Sequence, residues 1–213
     1  MHTSIRPILC FVIVILAISC GNVNGQSKEQ SQPLSPHQKL ARDIFQELIE
    51  INTTLSIGDT KAVEAMAARF KAAGFPESDI TIAGPQPKHM NLVVRYRGKG
   101  TLKPILFIGH LDVVEALRKD WSTDPFTFLE KDGYFYGRGA TDMKSDDASL
   151  VANLIRLKQE GFVPNRDIIV ALTEHEENGE FNGVQWLLAN RKELIDAEYC
   201  INPDVGGGES KNG

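Results

Sequence analysis

Ile105-Leu106-Phe107-Ile108-Gly109-His110-Leu111-Asp112 is the stretch whose reading decides the fold. Four apolar residues in a row suit a strand covered on both faces, and this run ends in glycine, histidine and aspartate. The pattern recurs twice. Ile168-Ile169-Val170-Ala171-Leu172 leads into Thr173-Glu174-His175-Glu176-Glu177, and the short strand Tyr199-Cys200-Ile201 leads into Asn202-Pro203-Asp204. A fourth segment, Gly137-Arg138-Gly139-Ala140-Thr141-Asp142-Met143-Lys144, adds Asp142 just ahead of a helix. Ligands of open α/β sheets collect outside the carboxyl ends of the strands. Three strand ends therefore deliver one imidazole and several carboxylates to a single sheet edge.

Helical periodicity fills the intervals. Leu40, Ala41, Ile44, Phe45, Leu48 and Ile49 form one apolar stripe. Val63, Met66, Ala67 and Phe70 form another, starting near Asp59 and stopping at Gly74. Ser145 is placed to cap a helix carrying Val151, Leu154 and Ile155 and ending at Gly161, and a further helix covers roughly 183–194. Leu92, Val94 and Tyr96 alternate with Val93, Arg95 and Arg97, which predicts a half-exposed strand. Strands alternating with helices define an α/β class: layers of helix around a mixed, mostly parallel sheet.

The whole chain has 213 residues, of which 42% are hydrophobic and 24% charged. Apolar runs from residue 40 to residue 201 rule out disorder. A net charge of -5 and a pI near 5.6 argue against nucleic acid as a partner. Three cysteines are too few for a disulfide scaffold. Arg6 followed by the short apolar run Ile8–Ile18 reads as a secretion signal over residues 1–20. Two processing routes stand. Ala17-Ile18-Ser19-Cys20 resembles a lipobox that would place a lipid anchor on Cys20, whereas Val23-Asn24-Gly25 resembles an ordinary cleavage site. Both predict export, to the periplasm or to the outer membrane through the anchor if the source is bacterial. Polar residues 21–36 read as a flexible tether, and residues 37–213 as the folded portion.

One histidine among carboxylates, with no thiolate cluster, has the character of a hydrolytic metal site suited to Zn²⁺, with Co²⁺ or Mn²⁺ as substitutes. So many acids in one place repel each other unless cations neutralise them, and one carboxylate can bridge two ions. Taken singly, each piece has a plainer reading. His-x-Asp is usually a hydrogen-bonded pair, and Glu176-Glu177 a solvated acidic turn. Asp146 and Asp147 fit a helix first turn, where they favour the dipole. Gly137-x-Gly139 lacks the third glycine of a dinucleotide loop. His37, His89 and His175 read as surface or structural residues.

The order of the motifs is more telling. Gly-His-Leu-Asp-Val-Val at 109–114, Trp121 with Asp124-Pro125-Phe126, Gly-Arg-Gly-Ala-Thr-Asp-Met-Lys at 137–144 and Glu-Glu at 176–177 follow one another. Together they resemble the co-catalytic zinc peptidases and amidohydrolases that include carboxypeptidase G, aminoacylase, succinyl-diaminopimelate desuccinylase and acetylornithine deacetylase. The resemblance covers about residues 38–208. It implies a three-layer catalytic domain that hydrolyses a peptide or N-acyl amide bond with water activated at two zinc ions. His110 would bind one metal, with Asp204 completing its ligand set. Glu177 would bind the other, and Asp142 would bridge both. Asp112 would orient the His110 imidazole, and Glu176 would be the general base. A cis peptide is implied after the bridging acid, at Asp142–Met143.

Two departures stand out. His175 occupies a position where the family often has aspartate before its paired glutamates. The family's late metal-ligand histidine has no counterpart among His2, His37, His89, His110 and His175. The lid domain that carries substrate-binding and homodimer contacts in the family is also missing. The expectation is therefore the N-terminal portion of a catalytic domain, inactive by itself, whose substrate is a small peptide or N-acyl amino acid. The alternative is a non-catalytic exported binding module on the same fold.

Overall fold

The computed structural model describes residues 33–179 and 181–204. The expected signal, Cys20, most of the tether and the glycines at 206–208 lie outside the described residues.

The first helix, α1 (Pro36–Glu50), begins where Ser35 and Gln38 cap each other reciprocally and Pro36 occupies the first turn. The second, α2 (Thr60–Ala72), ends before Gly74, whose φ of +84° supplies the left-handed exit. The strands β1 (Ile80–Gln86), β2 (His89–Tyr96) and β3 (Leu102–His110) follow. A small separate hairpin, β4 (Leu129–Lys131) with β5 (Tyr134–Tyr136), precedes α3 (Lys144–Gln159). The chain then runs through β6 (Arg166–Thr173), α4 (Gly183–Asn190), α5 (Lys192–Ile195) and β7 (Tyr199–Ile201).

The five-stranded sheet has the order β1-β2-β6-β3-β7. It is mixed and mostly parallel, as expected: β1, β6, β3 and β7 run in one direction and β2 alone runs against them. β1–β2 and β2–β6 are antiparallel, while β6–β3 and β3–β7 are parallel. β2 is reversed by the short turn at Pro87–Lys88, which returns the chain as a hairpin instead of a crossover. Alternation along the central strands sorts the core into two layers. Leu92, Val94, Val170 and Leu172 pack against α1, α2 and α3, together with Ile44, Leu48, Met66, Phe70 and Val151. Val93, Leu106, Ile169 and Ala171 face the other way, against Leu187 of α4 and Ile195 of α5. The result is helix, sheet, helix. No helix among the described residues is long and apolar enough to cross a membrane.

Several local expectations are corrected. The strand expected to be half-exposed is more covered than its alternation predicts: Val93 is buried against Leu187 and Ile195, and Arg95 is half-buried with Asp167 at 3.1 Å, while Arg97 stays exposed. Ser145 does not cap α3. The helix starts two residues earlier than that cap implies, at Lys144 after Met143, and the Lys144 N–H reaches the Gly139 carbonyl at 3.0 Å. The helix expected over 183–194 breaks at Arg191, where φ is -144°, and resumes so that Ile195 turns into the second core layer.

Candidate metal centre

The register of the parallel strands sets out the site. His110 is level with Thr173 across β3 and β6, and Phe107 with Ile201 across β3 and β7, so all three strands end on one edge. His110 is buried there, its Nε2 standing 3.0 Å from Asp142 Oδ1 and 3.6 Å from Asp204 Oδ2. One ligand atom from each of His110, Asp142 and Glu177 falls within 4.8 Å of the others, and the same holds for His110, Glu176 and Asp204. The four expected acids beside Asp112, namely Asp142, Glu176, Glu177 and Asp204, thus gather around the His110 imidazole. The Asp142–Met143 peptide bond is cis.

Asp112 does more than face the ring. His110 Nδ1 lies 3.0 Å from the Asp112 carbonyl oxygen and 3.4 Å from its Oδ1. The carboxylate meanwhile accepts the backbone N–H of Glu176 at 3.0 Å and of Glu177 at 3.1 Å. One buried aspartate therefore fixes the histidine and both glutamates relative to each other. Asp142 is exposed and Glu177 half-buried.

Beneath the edge lies a second tier that the sequence reading missed. Asp147 is fully buried, and neither of its oxygens accepts a hydrogen bond from the described residues. It lies against Gly109, where an added Cβ would come within 2.1 Å of Asp147 Oδ1. Only glycine lets the carboxylate approach the strand there. Lys144, also fully buried, donates to the carbonyls of Leu48 at 2.8 Å and Ile51 at 2.9 Å. The signal was present in the spacing. Lys144, Asp147, Ala148, Val151 and Leu154 share the buried stripe of α3.

Electrostatics follow from this crowding. Burial opposes a charged imidazole, but the carboxylates of Asp112, Asp147 and Asp204 outweigh it and push His110 up to about 10. Burial raises Glu177, reinforced chiefly by Asp142. Burial also raises Asp147 well above the usual carboxylate range, against the pull of His110 and Lys144. Lys144 is brought down to about 7 by burial, against the pull of Asp147 and Asp112. A donor set of one nitrogen and several carboxylate oxygens, arranged around a position that attracts positive charge, fits divalent ions of the zinc, cobalt and manganese type.

Residues 106–212 match peptidase family M20/M25/M40, and the chain belongs to that family. It is 37% identical over 187 residues to a succinyl-diaminopimelate desuccinylase of Parvibaculum lavamentivorans, covering 80% of this chain and 42% of that protein. Among solved structures, the dipeptidase Dug1p of Saccharomyces cerevisiae shares the fold with a TM-score of 0.63 at 19% identity, over 77% of this chain and 38% of the other. A dinuclear metal-binding M20 peptidase of Bacillus subtilis does so with a TM-score of 0.56 at 14% identity, over 78% and 42%. The chain spans about 36–42% of the length of such curated relatives.

Proposed function

We propose that the His110 centre serves metal-dependent hydrolysis of an amide bond in a small peptide or N-acyl amino acid. In this reading His110 with Asp204, and Glu177, would hold two Zn²⁺ ions, replaceable by Co²⁺ or Mn²⁺, with Asp142 as a ligand shared between them. The observation that carries it is the convergence of carboxylates from strand ends and from the loop before α3 on one buried imidazole, with Asp142 at 3.0 Å and Asp204 at 3.6 Å. Such ions polarise a scissile carbonyl and lower the pKa of water towards about 7.

Glu176 is the exposed member of its trio, and Asp112 anchors its backbone, so its carboxylate is free to move protons. It takes one from the attacking water and passes it to the departing amine nitrogen, a role worth roughly 10²–10⁴ in rate. Asp112 works through others: it keeps the imidazole turned and the paired glutamates in register. The acyl group cleaved by the desuccinylase relative makes N-succinyl amino acids the first substrates to try, with dipeptides second.

The test uses the natural gene product. Chelation should abolish hydrolysis, and Glu176→Gln should keep the bound metal while losing at least 100-fold in turnover. Full turnover in that variant would remove Glu176 from the mechanism. Export remains part of the proposal on the strength of the apolar run Ile8–Ile18. Mass spectrometry of the mature N-terminus separates lipidation at Cys20 from cleavage after Gly25, and an intact Met1 in the mature protein contradicts both.

A further inference from the structure

A second group of metal-ligating side chains shares no residue with the His110 centre. His89 opens β2, and Glu174 and His175 follow directly on β6; all three are buried. One ligand atom from each lies within 4.8 Å of the other two. The two imidazole rings are 4.2 Å apart between centroids and inclined at 61°, and Phe181 stacks on His89 at 5.4 Å.

Two features point to an ion here. Buried carboxylates normally collect hydrogen bonds, yet neither oxygen of Glu174 accepts one from the described residues. His89 Nδ1 stands 3.6 Å from Glu174 Oε2, too far for a hydrogen bond. That separation is close to the roughly 3.3–3.5 Å at which bonds of about 2.0–2.2 Å to one tetrahedral ion place an imidazole nitrogen and a carboxylate oxygen. The backbone adds a second feature. His175 has a φ of +49°, a left-handed conformation uncommon outside glycine, which persists where function or packing demands it.

We infer that His89, Glu174 and His175 form a separate binding site for one divalent cation of the zinc type. Two imidazoles and one carboxylate are a donor set that Zn²⁺ uses. The ion would tie the start of β2 to the loop that continues into Glu176 and Glu177. Its role is structural: it holds that loop to the sheet.

The probe is Co²⁺, read by metal analysis and by visible absorption. In a His110→Gln, Glu177→Gln double variant, folded by circular dichroism, one cobalt per chain should remain with the absorption of a low-symmetry nitrogen and oxygen site. Adding His175→Gln, or His89→Gln in its place, should remove it. A cobalt that survives both histidine substitutions overturns the assignment. If the double variant does not fold, anomalous diffraction from cobalt-soaked crystals of the parent decides. A peak between His89 and His175 supports the site, and none at saturating cobalt overturns it. Ions at the His110 centre give separate peaks, so this outcome and the hydrolytic reading fail independently.

Discussion

Replacing Asp112 tests the link between packing and site most sharply. Its carboxylate accepts two backbone N–H groups, from Glu176 at 3.0 Å and Glu177 at 3.1 Å, and both atoms are partly buried. Hydrogen bonds to a charged acceptor contribute about 1.5–3 kcal/mol each, so Asp112→Ala should lose about 3–6 kcal/mol. An opposing effect reduces this. Asp112 also repels the buried carboxyls of Asp59 and Glu174, and its removal relieves that strain. The lower half of the range, about 3–4 kcal/mol, is therefore expected, a large share of a domain's usual total of about 5–15 kcal/mol. Asp112→Asn keeps one acceptor oxygen and should lose about half as much. Urea unfolding with a common slope measures the stability, and competition against a chelator measures the metal affinity, expected to fall about 10–100-fold for both variants. Equal stability and equal metal affinity in parent, Asn and Ala variants would show that the carboxylate clamps nothing.

Two other perturbations reach beyond the metal ligands. Burial, with repulsion from Asp112, pushes Asp59 up from 3.8 to about 7. The folded state then keeps a proton that the unfolded chain has released, so stability is fullest below about pH 4, declines as pH rises towards 7 and is flat above it. Asp59→Asn, which retains an oxygen for the Met90 N–H, should flatten that slope and be more stable than the parent at pH 8; an unchanged difference between pH 5 and pH 8 refutes this. Lys144→Met removes the donor to Leu48 and Ile51 and leaves Asp147 without its neighbouring cation. It should cost about 2–4 kcal/mol in urea unfolding, and a loss below about 0.5 kcal/mol would make the buried amine incidental.

Much of the sheet edge was legible because burial leaves a direct mark on composition. Strands covered on both faces need unbroken apolar runs, and 105–108 and 168–172 have them; the polar residues that follow lie where β3 and β6 end. What escaped depends on neighbours distant in sequence. β1 carries Gly84 and Pro85 and lies at the sheet edge, so of its residues Ala83 alone is buried and the strand carries little alternation. Arg95 reads as solvent-facing, yet Asp167, far along the chain, pairs with it and leaves it half-buried. Asp147 looked like a residue favouring the start of a helix, and only the glycine at 109 reveals the space it occupies. His89 and His175 meet through the antiparallel pairing of β2 with β6, which no local spacing announces.

The central claim is that Asp142 joins two ions at the His110 centre. Zinc binding by the parent and by Asp142→Asn, measured by equilibrium dialysis at fixed free Zn²⁺, tests it most directly. One substitution should weaken two ions together, each at least tenfold, since Asp142 stands 3.0 Å from His110 in the trio completed by Glu177. Unchanged zinc content and affinity in that variant would contradict it.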